Sequence, residues 1–409
     1  MTTSGPDATI TKDDDLEGVA VSRRSALKLA GIGLGSVAVA GGIGVGVRAG
    51  TNGVWGAGSG DPYALWRDWS RMSGVDRVVG AGVLACNPHN TQPWRISTAP
   101  GTISISSDPT RRMPFNDAGS REHFAGIGCA VENMVIAAAA SGFTPEVDLF
   151  PDGDGSTLVA RIALTPGGSS QDGALADAIP SRHTNRGPYT AEPVAAATLA
   201  ALRGQVSRVE GAELLWVTDG QSMQRLGALY VEATEAITAD TAQSTEAFSW
   251  FRNDRSDIER HRDGLTLDGQ GLGSFTLLAA KVLPAQSRTD GDSFWVKSTR
   301  DVHTATAAAY GVVTVANALD RTAQVNGGRL LARLHLAATS VGLGFHHMNQ
   351  ITERIDRDRA AGNVDVFSSR WAAVLGRPAS QGLVSFRVGH PRRTAGLSPR
   401  RALTDVVNA

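Results

Sequence analysis

Residues 85–94 read Ala85-Cys86-Asn87-Pro88-His89-Asn90-Thr91-Gln92-Pro93-Trp94. Asn90 and Gln92 are amides that can donate and accept hydrogen bonds, His89 reads either as a supporting donor or as an ordinary loop residue, and Pro93 and Trp94 begin a strand and pack the core. From Trp94 the chain alternates through 94–98 and 102–106 around Pro100-Gly101, which predicts a β-hairpin. Residues 121–141 then place Phe124, Ile127, Val131, Met134, Val135 and Ala138 at the spacing of a buried helix face. Residues 158–164 read as another strand, and Thr165-Pro166-Gly167-Gly168-Ser169-Ser170 as a linker.

Beyond that linker a looser version of the same grammar follows. A helix from about Asp172 leads into 181–189, a strand is predicted at 213–218 and a helix at 222–238, and a further helix at 328–341 precedes a last strand at 384–388. Strands separated by long helices argue for an α+β arrangement, mixed sheets packed by helices. Residues 253–292 are rich in charge and Gly and hold no sustained period. A stretch of that length is expected to be a lid, a binding loop or disordered.

Composition sets the limits on function. The 409 residues are 42% hydrophobic and 19% charged, which fits a globular protein and excludes a disordered, collagen-like or disulfide-stapled one. A formal net charge of -1 gives no global attraction to nucleic acid, so no nucleic-acid partner is expected and any anion site must be local. Cys86 and Cys129 lack C-x-x-C spacing and can form at most one disulfide. His346 and His347 are adjacent, so on a strand they point to opposite faces, and with no H-E-x-x-H present no metal site is expected. No G-x-S-x-G marks a hydrolase nucleophile.

The amino end is of another kind. Ser22-Arg23-Arg24-Ser25-Ala26-Leu27-Lys28 precedes nineteen uncharged residues, 29–47, seven of them Gly. This resembles a twin-arginine export signal, S-R-R-x-F-L-K, with Ala26 in place of Phe and small residues at Val47-Arg48-Ala49 for cleavage. Nineteen residues also approach the roughly 20 that span a bilayer, so a retained membrane anchor is the alternative. In both cases Arg23, Arg24 and Lys28 keep the amino end cytoplasmic and the body outside. The expectation is a protein exported by the twin-arginine machinery, secreted or membrane-anchored, by a route that carries folded cargo, often with a cofactor. Gly33 to Ala38 fits G-x-G-x-x-A but lies inside this segment with no strand before it, and is set aside as a dinucleotide site.

Four stretches of the body resemble the nitroreductase superfamily. Ala85, Asn90, Gln92, Pro93 and Trp94 match its A-P-S-x-x-N-x-Q-P-W flavin loop, with Cys86 and Asn87 replacing Pro and Ser. Arg182-His183-Thr184-Asn185-Arg186 resembles its R-x-S-x-R element, with the hydroxyl kept by Thr184, and Arg182 and Arg186 at i and i+4 would share one face of a helical turn. Val341-Gly342-Leu343-Gly344 with His346-His347-Met348-Asn349-Gln350 resembles its G-L-G-x-x-P-M/I-G strand, with His347 in place of Pro. The tail Gly389-His390-Pro391 and Ser398-Pro399-Arg400-Arg401-Ala402-Leu403 is similar to its G-x-P and P-R-R-P-L ending.

In a nitroreductase chain the arginine element precedes the loop, whereas here the order is reversed. That order implies two nitroreductase-like halves fused into one chain, 61–170 and 171–409, with a lid-like insertion at 253–292, an export segment at 1–49, and a monomer in place of the family's dimer. With the T-N-R-G-P-Y run at 184–189 and the R-D-G-L-T-L-D run at 262–268, the chain resembles the Acg-like branch. The resemblance implies FMN as cofactor, with Arg182, Thr184, Arg186, Arg400 and Arg401 at the phosphate and ring, Asn90, Gln92 and His89 in the loop, and His347, Met348 and Asn349 along the ring-facing strand. Met348 and Trp371 also read as core. Arg186 is the candidate to stabilise the reduced ring. Two activities follow from the resemblance: electron transfer from a small-molecule donor to a nitroaromatic, quinone or similar acceptor, or sequestration of FMN beneath the lid.

Overall fold

The computed structural model describes residues 56–168 and 172–408; the export segment, its cleavage point and the G-x-G-x-x-A match lie outside them. The strands in chain order are β1 (Trp94–Ala99), β2 (Thr102–Ser107), β3 (Phe143–Leu149), β4 (Leu158–Pro166), β5 (Ala212–Val217), β6 (Phe251–Arg252), β7 (Leu265–Thr266), β8 (Ala309–Val315), β9 (Gly344–His347), β10 (Gly382–Gly389) and β11 (Val407–Asn408). They form a five-stranded sheet, β11-β1-β2-β4-β3, a four-stranded sheet, β5-β8-β10-β9, and the small ribbon β6-β7. The fold is α+β.

The predicted hairpin is present: β1 and β2 pair antiparallel with Trp94 opposite Ser107 and Ala99 opposite Thr102. Alternation sends Trp94, Ile96, Ile103 and Ile105 inward, each at most 1% exposed. The C-terminal β11 joins β1 in parallel, so the last residues of the chain close the first sheet and make it mixed. The second sheet is antiparallel throughout, with the fully buried β8 and β10 at its centre.

Helices fill the space between the sheets. Those that position the site are α1 (Gly74–Val83), α2 (Arg121–Ala140), α3 (Gly220–Ala239), α4 (Arg255–His261), α5 (Ser274–Val282), α6 (Arg288–Ser298), α7 (Arg321–Ser340) and α8 (Gln350–Ala361). α2 and α7 cross at glycines: a Cβ on Gly128 would sit 2.1 Å from the Val325 carbonyl oxygen, and one on Gly328 2.0 Å from that of Ala125. Only hydrogen at these positions lets the two backbones touch. Beside the crossing, Glu132 of α2 accepts from Arg329 Nε at 2.8 Å and Arg333 NH1 at 2.5 Å, both on α7.

The structure corrects several sequence expectations. α7 begins at Arg321, seven residues before the predicted start, capped by Asp320 accepting from the Ala323 amide at 2.7 Å; Gly327 and Gly328 lie inside it because close packing requires them there. Residues 182–186 do not form a helical turn: Arg182 is extended at φ -75° and ψ 106°, and the run to Tyr189 continues without helix. The stretch 253–292 is largely structured, carrying α4, α5 and the start of α6 between short turns. Strands β3 and β8 were not anticipated; β8 (A-Y-G-V-V-T-V) has both faces covered and so lacks alternation.

Candidate functional site

The 85–94 loop adopts a backbone that its residue types ordinarily avoid. His89, Asn90 and Gln92 have φ of 45°, 55° and 51°, in the left-handed region. Asn87 fastens the turn: its Oδ1 accepts from the Gln92 amide at 2.7 Å, and its carbonyl from the Asn90 amide at 3.3 Å. Non-glycine residues held there cost of order 1–3 kcal/mol each and cluster at functional sites. The consequence is that both amides of the loop turn inward, with Gln92 0% and Asn90 7% exposed.

Against this loop the fold brings Arg182 and Arg400, which stand 218 residues apart in the chain, at 2% and 3% exposure. Arg400 donates to Asn90 Oδ1 at 2.6 Å and to the carbonyls of Leu84 and Ala85 at 3.3 and 3.2 Å; Arg182 donates to the same Leu84 carbonyl at 3.1 Å. Both guanidinium groups face the Trp66 ring, at 5.7 Å for Arg182 and 4.7 Å for Arg400. Neither has a carboxylate within ion-pair distance among the described residues, nor does Arg186. Their Nε atoms are buried without a hydrogen-bond partner, as are His183 Nδ1 and Arg401 NH1 nearby.

Buried charge without a partner sets the electrostatics. Burial pulls the Arg400 guanidinium well below its ordinary value, lowers that of Arg182, and takes Arg186 down to about 10. His183 is held at about 3 by burial and by the adjoining Arg182 and Arg400, and His89 at about 4 by burial and Arg186. His89 and His183 are therefore neutral at pH 7, and beside them the positive charge is carried by arginine.

The insertion closes over this set. Asn90 Nδ2 donates to the Gly264 carbonyl at 3.2 Å and the Gly264 amide donates to the Asn90 carbonyl at 3.2 Å. Gln92 Nε2 donates to the Arg262 carbonyl at 2.9 Å, and Arg186 to that of Gly269 at 3.1 Å. Asp263 ties the segment to the Pro109–Arg111 turn through Arg111 at 2.9 Å and to β6 through Arg252 at 2.6 Å. At φ 77° Gly264 is irreplaceable in place: a Cβ would lie 2.4 Å from the Trp250 carbonyl oxygen.

The remaining predicted residues divide. Arg401 joins the site by its backbone, its amide donating to Gln92 Oε1 at 2.9 Å, while its side chain reaches the Asp405 carbonyl at 2.6 Å. Thr184 is half-buried between Arg182 and Arg186. His347 is half-buried with Nε2 unpartnered, whereas Met348 is fully buried in a core cluster with Ile351 and Trp371, and Asn349 Oδ1 accepts from the Ser385 amide at 2.9 Å. His346 turns away from His347, as strand geometry requires, and its Nδ1 accepts from Arg387 Nε at 3.1 Å.

Sequence reasoning missed Trp66 and His335. Both gain their role only from partners distant in the chain: Trp66 Nε1 donates to the Ser398 carbonyl at 2.8 Å, and His335 Nδ1 lies 3.4 Å from Arg182 NH1. Cys86 and Cys129, which could form at most one disulfide, lie 3.4 Å apart, both buried and unbridged.

With this geometry in place, the chain compares as follows. It is 29% identical over 321 residues to a Mycobacterium tuberculosis protein provisionally named NAD(P)H nitroreductase Rv3131, covering 75% of this chain and 85% of the relative. It is 26% identical over 348 residues to the M. tuberculosis protein provisionally named NAD(P)H nitroreductase acg, covering 82% and 96%. The chain is nitroreductase-like. Its relatives of that kind include Acg. Among solved structures, the FMN-dependent nitroreductase NfnB of Mycobacterium smegmatis, in complex with NADPH, aligns over 58% of this chain and 97% of its own, at 16% identity and a TM-score of 0.38. No family model matches.

Proposed function

We propose that the protein is an exported, FMN-binding oxidoreductase of nitroreductase type. The observation that carries this reading is the pair of buried arginines, Arg182 and Arg400, with the half-buried Arg186 in the same run as Arg182, no carboxylate beside the three, and an unpartnered Nε on each of the buried pair. A buried cation without a counter-charge is costly, and a phosphate dianion relieves that cost through short charge-assisted hydrogen bonds. The relatives named NAD(P)H nitroreductases support the same class of cofactor chemistry and a nicotinamide as donor.

The residues present fit FMN. Arg182, Arg400 and the Thr184 hydroxyl would hold the phosphate, Arg401 would support it, and Asn90, Gln92 and His89 would meet the ribityl and ring edge. Bound FMN supplies exchange of a hydride or of single electrons at its ring. The chain holds Arg186 as a fixed positive charge, suited to stabilising the anionic reduced ring, and keeps the imidazoles neutral so that they do not compete with it. Residues 262–269 exclude water from the loop. The acceptor would be a nitroaromatic, quinone or similar compound, and Arg23 and Arg24 would direct export.

A second reading, storage of FMN without turnover, is favoured by the hydrogen bonds that Asn90, Gln92 and Arg186 make to the lid, and by the lack of NAD(P)H outside the cytoplasm. One experiment separates the two. The purified protein is examined for a flavin spectrum, and NAD(P)H is added anaerobically to it and to Gly264→Ala, whose added Cβ opens the lid. Bleaching of the unaltered protein, reversed by nitrofurazone or a quinone, supports the enzyme. Bleaching of Gly264→Ala alone supports storage, and a colourless protein that takes up no FMN overturns both.

A further inference from the structure

Two of the positions at which the chain departs from the flavin-binding pattern meet in space. Cys86 and His347 each stand where that pattern has proline, 261 residues apart in the chain. In the fold they converge with His335 of α7, so that one ligand atom from each lies within 4.8 Å of the others. Nothing in the flavin reading requires a thiol and two imidazoles to gather there.

We infer that Cys86, His335 and His347, with Cys129 as the fourth donor, form a binding site for a thiophilic divalent cation of the zinc type. A tetrahedral zinc ion, with bonds of about 2.0–2.3 Å, spaces its donors roughly 3.3–3.8 Å apart. The Cys86 and Cys129 sulfurs are already 3.4 Å apart, and bringing the Cys86, His335 and His347 donor atoms from at most 4.8 Å to the zinc spacing takes about an ångström of side-chain motion. His347 Nε2 is buried without a hydrogen-bond partner, leaving a lone pair or N–H unmet. Thiolate and imidazole together select zinc, cobalt or copper over magnesium and calcium.

Charge is the objection to be met, because Arg182 NH1 lies 3.4 Å from His335 Nδ1. Two thiolates and two neutral imidazoles balance a divalent ion, so the occupied site carries no net charge for Arg182 to oppose. The ion would act as a clip. Cys86 leads into the 87–92 turn, Cys129 lies on α2, His335 on α7 and His347 on β9, so four elements from both halves would be held at one point. Coordination releases two protons, one from each thiol, and transfers no electron.

The test uses the full protein, reduced, stripped with a chelator and exchanged into metal-free buffer, with cobalt(II) and zinc(II) as probes. One equivalent of cobalt is expected to give tetrahedral visible bands and a near-ultraviolet thiolate charge-transfer band, both abolished by added zinc. Titratable thiols should fall from two to none on zinc loading. Cys86→Ser and His335→Gln should each weaken zinc binding at least 100-fold. The wild-type spectrum alone decides if a variant fails to fold. Absence of cobalt binding, octahedral cobalt bands only, or a Cys86–Cys129 disulfide in protein isolated with zinc present would each overturn the inference. FMN uptake by the same sample is an independent measurement, so failure here leaves the flavin reading standing.

Discussion

Two groups of arginines are buried equally deeply and are treated oppositely by the fold. In the helical frame, Arg121 forms a two-pronged pair with Asp356, and Arg333 is held by Glu132, all at most 4% exposed. At the 85–94 loop, Arg182 and Arg400 are as deeply enclosed and have carbonyls, an amide oxygen, a serine hydroxyl, the His335 imidazole and the Trp66 ring, with no carboxylate. The first group is complete within the chain. The second has no counter-charge among the described residues, and under the proposed function an anion supplies it, so the difference would mark where the protein gives up its own stability to serve a ligand.

Substitutions should therefore separate stability from binding. Arg333→Ala leaves the buried Glu132 with Arg329 as its one arginine partner and is expected to lower the unfolding free energy by about 3 kcal/mol, the low end for a buried pair that loses a partner, measured by denaturant titration, with FMN affinity little changed in the folded fraction. The double change Arg182→Gln and Arg400→Gln should do the reverse. FMN affinity falls at least 100-fold, about 2.7 kcal/mol, while the flavin-free protein loses no stability, because two uncompensated charges leave the interior. Equal loss of stability in the two variants would erase the comparison.

Smaller effects sharpen it. Gly264→Ala should raise the FMN dissociation rate about tenfold in stopped-flow release, because the lid that meets Asn90 can no longer seat. A buried imidazole outside the site supplies a pH-dependent control. His123, beside Ser107 Oγ at 2.7 Å, is held at about 3 by burial, with Arg112 and Arg321 opposing its charge and Asp108 favouring it. In the unfolded chain histidine titrates near 6.5, so between about 6.5 and 3 the unfolded state binds the extra proton and stability falls as pH falls. His123→Gln should flatten that slope by at most about 1.4 kcal/mol per pH unit, read from denaturation curves at successive pH values.

How much of this was legible in the sequence depended on whether a local pattern survives folding. The hairpin 94–107 and helix α2 were readable because one face is buried and the alternation or helical spacing is intact. β8 was not, since a strand covered on both faces reads as an unbroken apolar run. Arg182, Arg186 and Asn90 were visible through their motifs, and the structure brings them to one region. The extended course of 182–186 was not visible, because i and i+4 spacing is only a helical signature when the backbone is helical. Trp66 and His335 carry no local signal, and the meeting of Cys86, His335 and His347 comes from three separate elements, which spacing rules for metal ligands do not capture.

The central claim is that the unpaired arginines await a phosphate, and it is tested most directly by comparing FMN with riboflavin, which keeps the ring and ribityl chain and lacks the phosphate. In calorimetric titration of the flavin-free protein, FMN is expected to bind at least 100-fold more tightly than riboflavin, and the gap should close in the Arg182→Gln and Arg400→Gln double variant. Equal affinity for the two flavins, or a gap that persists in the variant, would contradict the account.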